Sequence, residues 1–365
     1  MNYRNSNKTV LTLDAGGTNF VFSAIRSFQE IVTPITLPSS ADDLHKCLDT
    51  IIHGFSEISR KAGADPSAIS FAFPGPADYP NGIIGDLGNL PCFRGGVALG
   101  PMLEEKFGIP VFINNDGDLF AYGEAIAGFL PYVNSMLGKG GSQKRFSNLL
   151  GVTLGTGFGA GIVRNNELFG GDNSCAAEIW LMRGKLDPTM NAEEGACIRA
   201  LQRFYGENGN DITIRTPREI SDIASGIIPG DRHAALEAYR LLGESVGDAL
   251  ANAVTLIDGL VVIGGGISSS YPLFMPSLIA AMNSNFDSPS GRPVPRLASR
   301  VFNLQDTDES AAFVRGSQRT IRVPFSSTEI AYDDMKRIGV GVSLLGTSRA
   351  VSIGAYAFAL SKIGG

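Results

Sequence analysis

The chain reads Val10-Leu-Thr-Leu-Asp14-Ala-Gly-Gly-Thr-Asn19-Phe-Val-Phe-Ser-Ala-Ile25 near its start, and Leu150-Gly-Val-Thr-Leu-Gly155-Thr-Gly-Phe-Gly-Ala-Gly161-Ile-Val163 further on. Each stretch is typical of a strand, a glycine turn with a hydroxyl side chain in it, and a second strand. Such a turn exposes several backbone N–H groups without side-chain bulk, which suits phosphate oxygens. Two of these turns in one chain predict two similar halves that bind one nucleotide. An ATPase or a phosphotransferase is therefore the first hypothesis.

Other phosphate-binding motifs fit the two turns less well. A Walker A loop requires a lysine, and neither turn has one. The second turn contains Gly155-x-Gly157-x-x-Ala160, with Glu178 downstream, as in a dinucleotide fingerprint. That fingerprint must open a helix, whereas the residues that follow this turn are typical of a strand. Two ordinary hairpins without a ligand remain the structural alternative.

Length and composition bound the class of protein. The 365 residues suffice for two domains, and 44% hydrophobic with 18% charged residues indicates a well-packed globular chain. The formal net charge is −6, and the absence of a basic stripe disfavours nucleic-acid binding. No apolar stretch approaches the roughly 18 residues of a membrane helix, and the polar start does not resemble a signal peptide. Four widely spaced cysteines are typical of free thiols, so we expect a cytoplasmic protein without a membrane partner.

Strand-like and helix-like segments alternate along the chain, which predicts the α/β class. Hydrophobic periodicity and turn residues predict helices at 41–62, 117–127, 233–256 and 346–360, strands at 69–73, 111–113 and 260–263, and an exposed loop at 131–145.

Two aspartates stand beside these elements in positions that suit phosphoryl transfer. Asp14 ends the first strand, and an acid beside a phosphate cradle is repulsive unless a cation lies between them. We therefore expect Asp14 to anchor Mg²⁺ through water, with a turn-forming Asx bond as the alternative. Asp116 begins a helix in Phe112-Ile-Asn-Asn-Asp116-Gly-Asp118 and is the candidate base for a hydroxyl proton, with helix capping alone as its alternative. Asp118 is expected to face solvent.

Taken in order, the motifs resemble those of the ROK family, whose name stands for repressor, open reading frame, kinase. The resemblance spans nearly the whole chain and is carried by Asp14-Ala-Gly-Gly-Thr-Asn19, Phe73-Pro-Gly-Pro-Ala-Asp78, Asn89-Leu-Pro91, Asn115-Asp116 with Gly123-Glu124-Ala125, Thr153-Leu-Gly-Thr-Gly-Phe-Gly159, Val262-Ile-Gly-Gly-Gly-Ile267 and Gly354-Ala-Tyr-Ala.

The resemblance implies an actin-like (ribonuclease H-like) ATPase fold with a nucleotide and sugar cleft between two lobes. The lobes would be residues 1–115 plus 346–365 and residues 116–345. ATP with Mg²⁺ and a sugar would be the ligands, Asp116 the general base, and a homodimer the assembly. The residues implied for ATP are Asp14, Gly16, Gly17, Thr18, Asn19, Gly155, Thr156, Gly157, Gly264, Gly265 and Gly266. Those implied for the sugar are Gly75, Asn89, Asn115, Asp116 and Glu178.

One segment departs from the family pattern. Family kinases usually carry Gly-Glu-Ile-Gly-His and then a zinc-binding cysteine cluster. Here Ala177-Glu-Ile-Trp-Leu181 has a leucine in place of the histidine, and Glu194-Gly-Ala-Cys-Ile-Arg199 keeps only Cys197. A tetrahedral zinc site needs about four ligands, so we expect no structural zinc. The family's second sugar-contacting acid aligns with Arg199, which leaves the identity of the hexose open.

The expected activity is an ATP-dependent hexose kinase that phosphorylates the 6-hydroxyl of glucose or a related hexose. The alternatives are a kinase of N-acetylglucosamine or N-acetylmannosamine, and a catalytically silent sugar-binding relative. A repressor is disfavoured, because the first strand starts at about Thr9 and leaves no room for a DNA-binding module before it.

Overall fold

Two six-stranded sheets organise the chain, in the computed structural model that describes residues 3–209 and 213–364. The helices are α1 Leu44–Ala62, α2 Leu99–Phe107, α3 Asp116–Ile126, α4 Phe129–Lys139, α5 Ile198–Gly209, α6 Pro217–Ala224, α7 Arg232–Ile257, α8 Tyr271–Met282, α9 Thr307–Arg315 and α10 Thr347–Ile363. The strands are β1 Val10–Ala15, β2 Asn19–Arg26, β3 Gln29–Glu30, β4 Ile35–Pro38, β5 Ala68–Ala72, β6 Ala77–Asp78, β7 Ile83–Ile84, β8 Val111–Asn114, β9 Leu149–Leu154, β10 Phe158–Arg164, β11 Glu167–Leu168, β12 Leu260–Gly264, β13 Asn285–Phe286, β14 Val294–Pro295, β15 Arg300–Asn303, β16 Gln318–Arg322, β17 Glu329–Asp333 and β18 Arg337–Val342. The α/β class is confirmed.

The chain divides into two compact units. The first unit comprises residues 1–128, 161–177 and 345–365, and the second unit residues 129–160 and 178–344. These bounds differ from lobes divided at residue 116, because α3 packs closely along α10 within the first unit. A Cβ on Gly123 would lie 1.9 Å from the Ala350 carbonyl oxygen, and one on Gly354 would lie 1.9 Å from that of Leu119. Glycine at both positions lets the two helix backbones approach each other.

The sheet of the first unit places three strand ends at one edge. Its order is β3-β2-β1-β5-β8, with β4 paired to β2. Strands β1, β5 and β8 are parallel, and the register sets Asp14 beside Ala72 and Ala72 beside Asn114. Because parallel strands end at a common edge, the residues after β5 and β8 come next to Asp14. An aromatic core, in which the rings of Phe22 and Phe55 lie 5.2 Å apart, supports this sheet from within.

The sheet of the second unit is built on four parallel strands, β9, β12, β18 and β15. Strands β10 and β11 continue its order at one edge, and the unit boundary at 160/161 falls within β10. Gly264 pairs with Thr153, so the predicted glycine run after β12 comes beside the second glycine turn. The long predicted helix is confirmed as α7.

The expectation of an exposed loop at 131–145 is wrong over its first part. Residues Phe129–Lys139 form α4, whose buried side chains Phe129, Leu130, Val133 and Leu137 repeat every three or four residues. Proline is compatible with the first turn of a helix, where its missing N–H has no partner to lose, so Pro131 does not end α4. The burial of an apolar face outweighed the Gly, Lys and Ser content that follows.

No helix within residues 3–209 and 213–364 is both long and apolar enough to cross a membrane.

Candidate active site

The first glycine turn, in the first unit, is closed by backbone hydrogen bonds. The N–H of Gly16 donates to the Asn19 carbonyl at 3.0 Å. Ser39 holds the turn from outside, because its hydroxyl donates to the Gly17 carbonyl at 2.6 Å and its N–H to that of Thr18 at 2.9 Å. Gly17 lies against the loop of Asn89, where a Cβ would come 3.2 Å from the Asn89 carbonyl oxygen. The first turn and one predicted sugar ligand are therefore neighbours.

Tyr79 connects the loop after β5 to the start of α3. Its hydroxyl donates to the Phe73 carbonyl at 3.0 Å and accepts from the Asn115 side-chain amide at 3.5 Å. A Cβ on Gly75 would lie 3.0 Å from the same hydroxyl oxygen. Sequence reasoning did not single out Tyr79, since no spacing or motif marks a tyrosine that acts through these contacts.

The start of α3 presents Asn115 and Asp116. The Asn115 side chain caps the helix, accepting from the N–H of Gly117 at 2.8 Å, and the same N–H lies 2.9 Å from Oδ1 of Asp116. Burial by surrounding protein atoms raises the pKa of Asp116, and the Gly117 N–H opposes that shift. Asp116 is nevertheless exposed at the surface of the first unit. The expectation that Asp118 faces solvent is wrong in part, because its side chain is half-buried.

Asp14 lies close enough to Asp116 for the two charges to interact. Burial raises the pKa of Asp14, and the negative charge of Asp116 raises it further. Asp14 also lines a cavity of about 560 Å³ in the first unit, together with Ser23, Glu30 and Arg349. A cation between two carboxylates that repel each other would relieve that repulsion.

The donor set near Asp14 suits Mg²⁺. Within the described residues, no group of three His, Cys, Asp or Glu side chains could hold a metal ion. Mg²⁺ commonly takes one or two carboxylates and completes its shell with water and substrate phosphates. Asp14, with Asp116 nearby, therefore fits Mg²⁺.

Hydrogen bonds from Gly155, Ile198 and Arg199 hold the second glycine turn, which lies in the second unit. The N–H of Gly155 donates to the Gly157 carbonyl at 3.0 Å. Ile198, the first residue of α5, donates its N–H to the Gly155 carbonyl at 2.9 Å, so the positive end of the α5 dipole lies at the turn. Arg199 donates from Nη1 to the Thr156 carbonyl at 3.2 Å.

Glu193 completes the contacts of the second turn. Its Oε2 accepts from the N–H of Phe158, the residue after the turn, at 3.0 Å. The Arg199 guanidinium binds Glu193 at 3.1 Å and Glu194 at 3.0 Å. Sequence reasoning missed Glu193. It noted Arg199 only as a departure from the family pattern, since neither residue belongs to a recognised motif.

The predicted Gly264-Gly265-Gly266 segment packs on the strand that leads into the second turn. Gly265 has φ +86°, and a Cβ there would lie 2.3 Å from the Leu154 carbonyl oxygen. The N–H of Ile267 donates to the same carbonyl at 3.1 Å. A Cβ on Gly266, by contrast, would meet no atom within 4 Å. The glycine run and the second turn thus form one backbone surface in the second unit.

The segment that departs from the family pattern lies in the second unit. Glu178 is exposed, and its carboxylate accepts a hydrogen bond from the indole N–H of Trp180. Leu181, at the position of the family histidine, has 59% of its surface exposed, whereas Cys197 is buried. Glu178 is therefore accessible to a ligand.

The structure divides the predicted site residues between the units. The first unit holds Asp14, Gly16, Gly17, Thr18, Asn19, Gly75, Asn89, Asn115 and Asp116. The second unit holds Gly155, Thr156, Gly157, Glu178, Gly264, Gly265 and Gly266.

Known proteins share this architecture and sequence. A crystal structure of a glucokinase from Parabacteroides distasonis superposes with a TM-score of 0.91 and 53% identity, over 99% of each chain. A ROK family glucokinase from Streptomyces griseus, in complex with glucose and AMPPNP, has a TM-score of 0.62 and 19% identity over 97% of this chain and 99% of that one, which shows a shared fold.

Relatives with assigned functions are more distant in sequence. An N-acetyl-D-glucosamine kinase from Photobacterium profundum is 29% identical over 291 residues, which cover 73% of this chain and 88% of that protein. One from Vibrio cholerae is 27% identical over 71% of this chain and 84% of its own length. The sequence profile of the ROK family matches residues 10–306. The chain therefore belongs to the ROK family.

Proposed function

We propose that the protein is an ATP-dependent hexose kinase that transfers the γ-phosphoryl group of ATP to the 6-hydroxyl of glucose. The observation that carries this proposal is the edge of the first unit's sheet, where Asp116 interacts with Asp14 at the ends of parallel strands. The names of the relatives also support sugar kinase activity, since each is a kinase of glucose or of N-acetylglucosamine.

Asp116 would act as the general base. Its carboxylate stands at the N-terminus of α3, where the helix dipole and the Gly117 N–H favour the ionised form. It would accept the proton of the 6-hydroxyl as the hydroxyl oxygen forms a bond to the γ-phosphorus and the bond to ADP breaks. The products are the sugar 6-phosphate, ADP and a proton held at first by Asp116.

ATP would be bound at both glycine turns, as the resemblance to the family implies, by N–H groups other than those of Gly16 and Gly155, which close the turns. The first turn comprises Gly16, Gly17, Thr18 and Asn19, and the second Gly155, Thr156 and Gly157. The Gly264–Gly266 segment would lie against the adenosine, because it leaves the backbone open for a flat ligand at Gly266. This use of two glycine turns is that of an actin-like ATPase.

Asp14 would hold Mg²⁺ through water. The ion would neutralise charge on the phosphate oxygens during transfer. The chain's own contribution is the carboxylate at the end of β1, whose raised pKa reflects burial and the charge of Asp116. A bound cation would therefore favour the ionised form of Asp14.

The sugar would be held by Gly75, Asn89, Asn115 and Glu178 in addition to Asp116. Amide and carboxylate groups suit a ring of hydroxyls, each of which donates and accepts hydrogen bonds. Tyr79 would fix two of these ligands, because its hydroxyl bonds the Asn115 amide and lies beside Gly75. Glucose is favoured by the 53% identity to the glucokinase, and an N-acetylhexosamine is the second candidate, favoured by the functionally assigned relatives.

We also propose that the protein acts in the cytoplasm, as its widely spaced cysteines suggest, and that it forms a homodimer, as the resemblance to its family implies.

A panel assay tests the proposed activity. ADP release would be measured with ATP and Mg²⁺ in the presence of glucose, mannose, N-acetylglucosamine and N-acetylmannosamine, each against a blank without sugar. We expect the highest kcat/KM with glucose. Release of ADP only with an N-acetylhexosamine would select the second candidate. Sugar binding without ADP release from any sugar would instead indicate a silent sugar-binding protein.

A further inference from the structure

The second glycine turn lies beside an ion-pair network that sequence motifs do not reveal. The network contains Glu193, Glu194, Arg199 and Arg203, in which Arg199 binds both glutamates and Arg203 lies 3.6 Å from Glu194. Arg203 also lies 3.9 Å from Glu207, so three acids face two bases in the network. Two of its members, Glu193 and Arg199, contact the backbone of the turn directly.

The Glu193 carboxylate lies beside the second glycine turn, which is expected to bind phosphate. Its Oε2 accepts from the Phe158 N–H, and a Cβ on Gly157 would lie 2.7 Å from that oxygen. Glycine at 157 thus makes room for the carboxylate under the turn. A carboxylate this close to a phosphate cradle repels phosphate oxygens unless a positive charge compensates it.

The Arg199 guanidinium supplies the positive charge that compensates the Glu193 carboxylate. Its guanidinium binds Oε1 of Glu193 at 3.1 Å while Nη1 donates to the Thr156 carbonyl at 3.2 Å. The donation also engages a carbonyl of the turn, whose partial negative charge would otherwise face the phosphate. About half of the Arg199 side chain remains exposed to solvent, at 54%.

We propose that Glu193 and Arg199 are positioning residues for the triphosphate of ATP. Glu193 fixes the geometry of the 155–157 turn through the Phe158 N–H, and Arg199 cancels the charge that this support introduces. The proposal rests on the proposed function, in which this turn binds phosphate.

Charge compensation makes a specific prediction for paired variants. Arg199→Gln leaves the Glu193 carboxylate uncompensated, so we expect the Kd and the KM for ATP to rise about tenfold. The KM for the sugar should change less than the KM for ATP, since the contacts of Arg199 are with Glu193, Glu194 and the Thr156 carbonyl. The double variant Glu193→Gln/Arg199→Gln removes both charges, and a glutamine oxygen can still accept from the Phe158 N–H. We expect it to bind ATP within about threefold of the wild type.

Two further variants separate charge from hydrogen bonding and from folding. Arg199→Lys keeps the charge but changes the geometry, and we expect it to retain most of the ATP affinity. Arg203→Gln is the matched control, because Arg203 belongs to the same network but makes no contact with the turn within the described residues. Thermal unfolding of each variant, and binding of ATP with Mg²⁺ measured by calorimetry, would accompany the kinetics.

The outcomes are distinguishable. Recovery of ATP affinity in the double variant supports the proposal, since a loss of packing alone would not be reversed by a second substitution. A double variant as weak as Arg199→Gln, or an Arg199→Gln enzyme with wild-type affinity, would overturn it while leaving the proposed kinase activity intact. A wild-type protein that does not bind ATP would overturn the proposed function together with this proposal.

Discussion

At the residue scale, the surroundings of Asp116 suit it to accept a proton. Asn115 takes over the capping of α3, so Asp116 is not needed to start the helix. Burial raises the pKa of Asp116, and a base with a pKa nearer the working pH accepts a proton more readily. Asp14 ends β1, which β5 separates from β8, and the charge of Asp116 acts on it.

Replacement of Asp116 should slow the chemical step strongly while leaving ATP binding. We expect Asp116→Asn to lower kcat by about 10²–10⁴-fold, the usual contribution of a general base, with a Kd for ATP near the wild-type value. Steady-state kinetics with glucose and calorimetry with ATP would measure the two quantities. Retention of most of the wild-type kcat would place the base elsewhere.

The pH dependence follows from the direction of the pKa shift. Asp116 acts as a base only when ionised, so kcat/KM should fall as the pH drops through its pKa. Because burial raises that pKa, the acidic limb should lie above the ordinary value of 3.8. A pH profile of kcat/KM for the sugar would locate the limb. A profile that stays flat down to the ordinary aspartate range would contradict the assignment.

Residues that belong to local motifs could be found from the sequence, whereas residues that act through tertiary contacts could not. Asp14 and Asp116 stand at strand and helix ends that the apolar pattern marks, and the structure brings them together. Tyr79 acts through a hydrogen bond with the Asn115 side chain, 36 residues away, and Glu193 through one with the Phe158 N–H, 35 residues away. No periodicity encodes such contacts, since they depend on how the loops pack.

At the element scale, the β9 strand and the glycine run after β12 form the support of the second turn. Strand β9 carries Leu154, the last residue before the turn. Its carbonyl accepts from Ile267 and lies against Gly265. A side chain at residue 265 would therefore disturb the backbone that leads into the phosphate turn.

Two adjacent glycines allow a matched test of this support. Gly265→Ala places a Cβ 2.3 Å from a backbone oxygen at φ +86°, and we expect a loss of about 1–3 kcal/mol in the free energy of unfolding. Gly266→Ala meets open space and should change stability by less than about 0.5 kcal/mol. Denaturant unfolding of both variants would measure the difference. Equal stabilities would show that the contact with Leu154 is not a constraint.

For the first part of residues 131–145, amino-acid composition indicates the wrong structure. Residues 131–145 contain the glycine, lysine and serine that favour a loop, yet the chain is helical to Lys139. The buried positions of α4 repeat every three or four residues, and the burial of that face decided the structure. The hairpin of β1 and β2, by contrast, follows its sequence pattern closely, because strand alternation and the glycine turn agree.

At the scale of the whole molecule, the two units each carry one glycine turn. Their bounds do not follow the order of the motifs, because α3 belongs with α10. The contact of these helices depends on Gly123 and Gly354, which are far apart in sequence. The assignment of α3 to the first unit therefore depended on tertiary packing.

The proposed homodimer is testable on the whole protein. Sedimentation equilibrium should give a mass of twice the 38.6 kDa of one chain at micromolar concentration. A single-chain mass that persists as the concentration is raised would contradict the dimer, and it would leave the kinase proposal unaffected.

The central claim is the transfer of phosphate from ATP to the 6-hydroxyl of glucose. The most direct measurement is the reaction of the purified protein with ATP, Mg²⁺ and ¹³C-labelled glucose, followed by ¹³C and ³¹P NMR, with Asp116→Asn as the control. We predict coupling between phosphorus and carbon 6 in the product, in step with ADP formation and absent from the control. Phosphate on another carbon, or ADP formed without any sugar phosphate, would contradict the account.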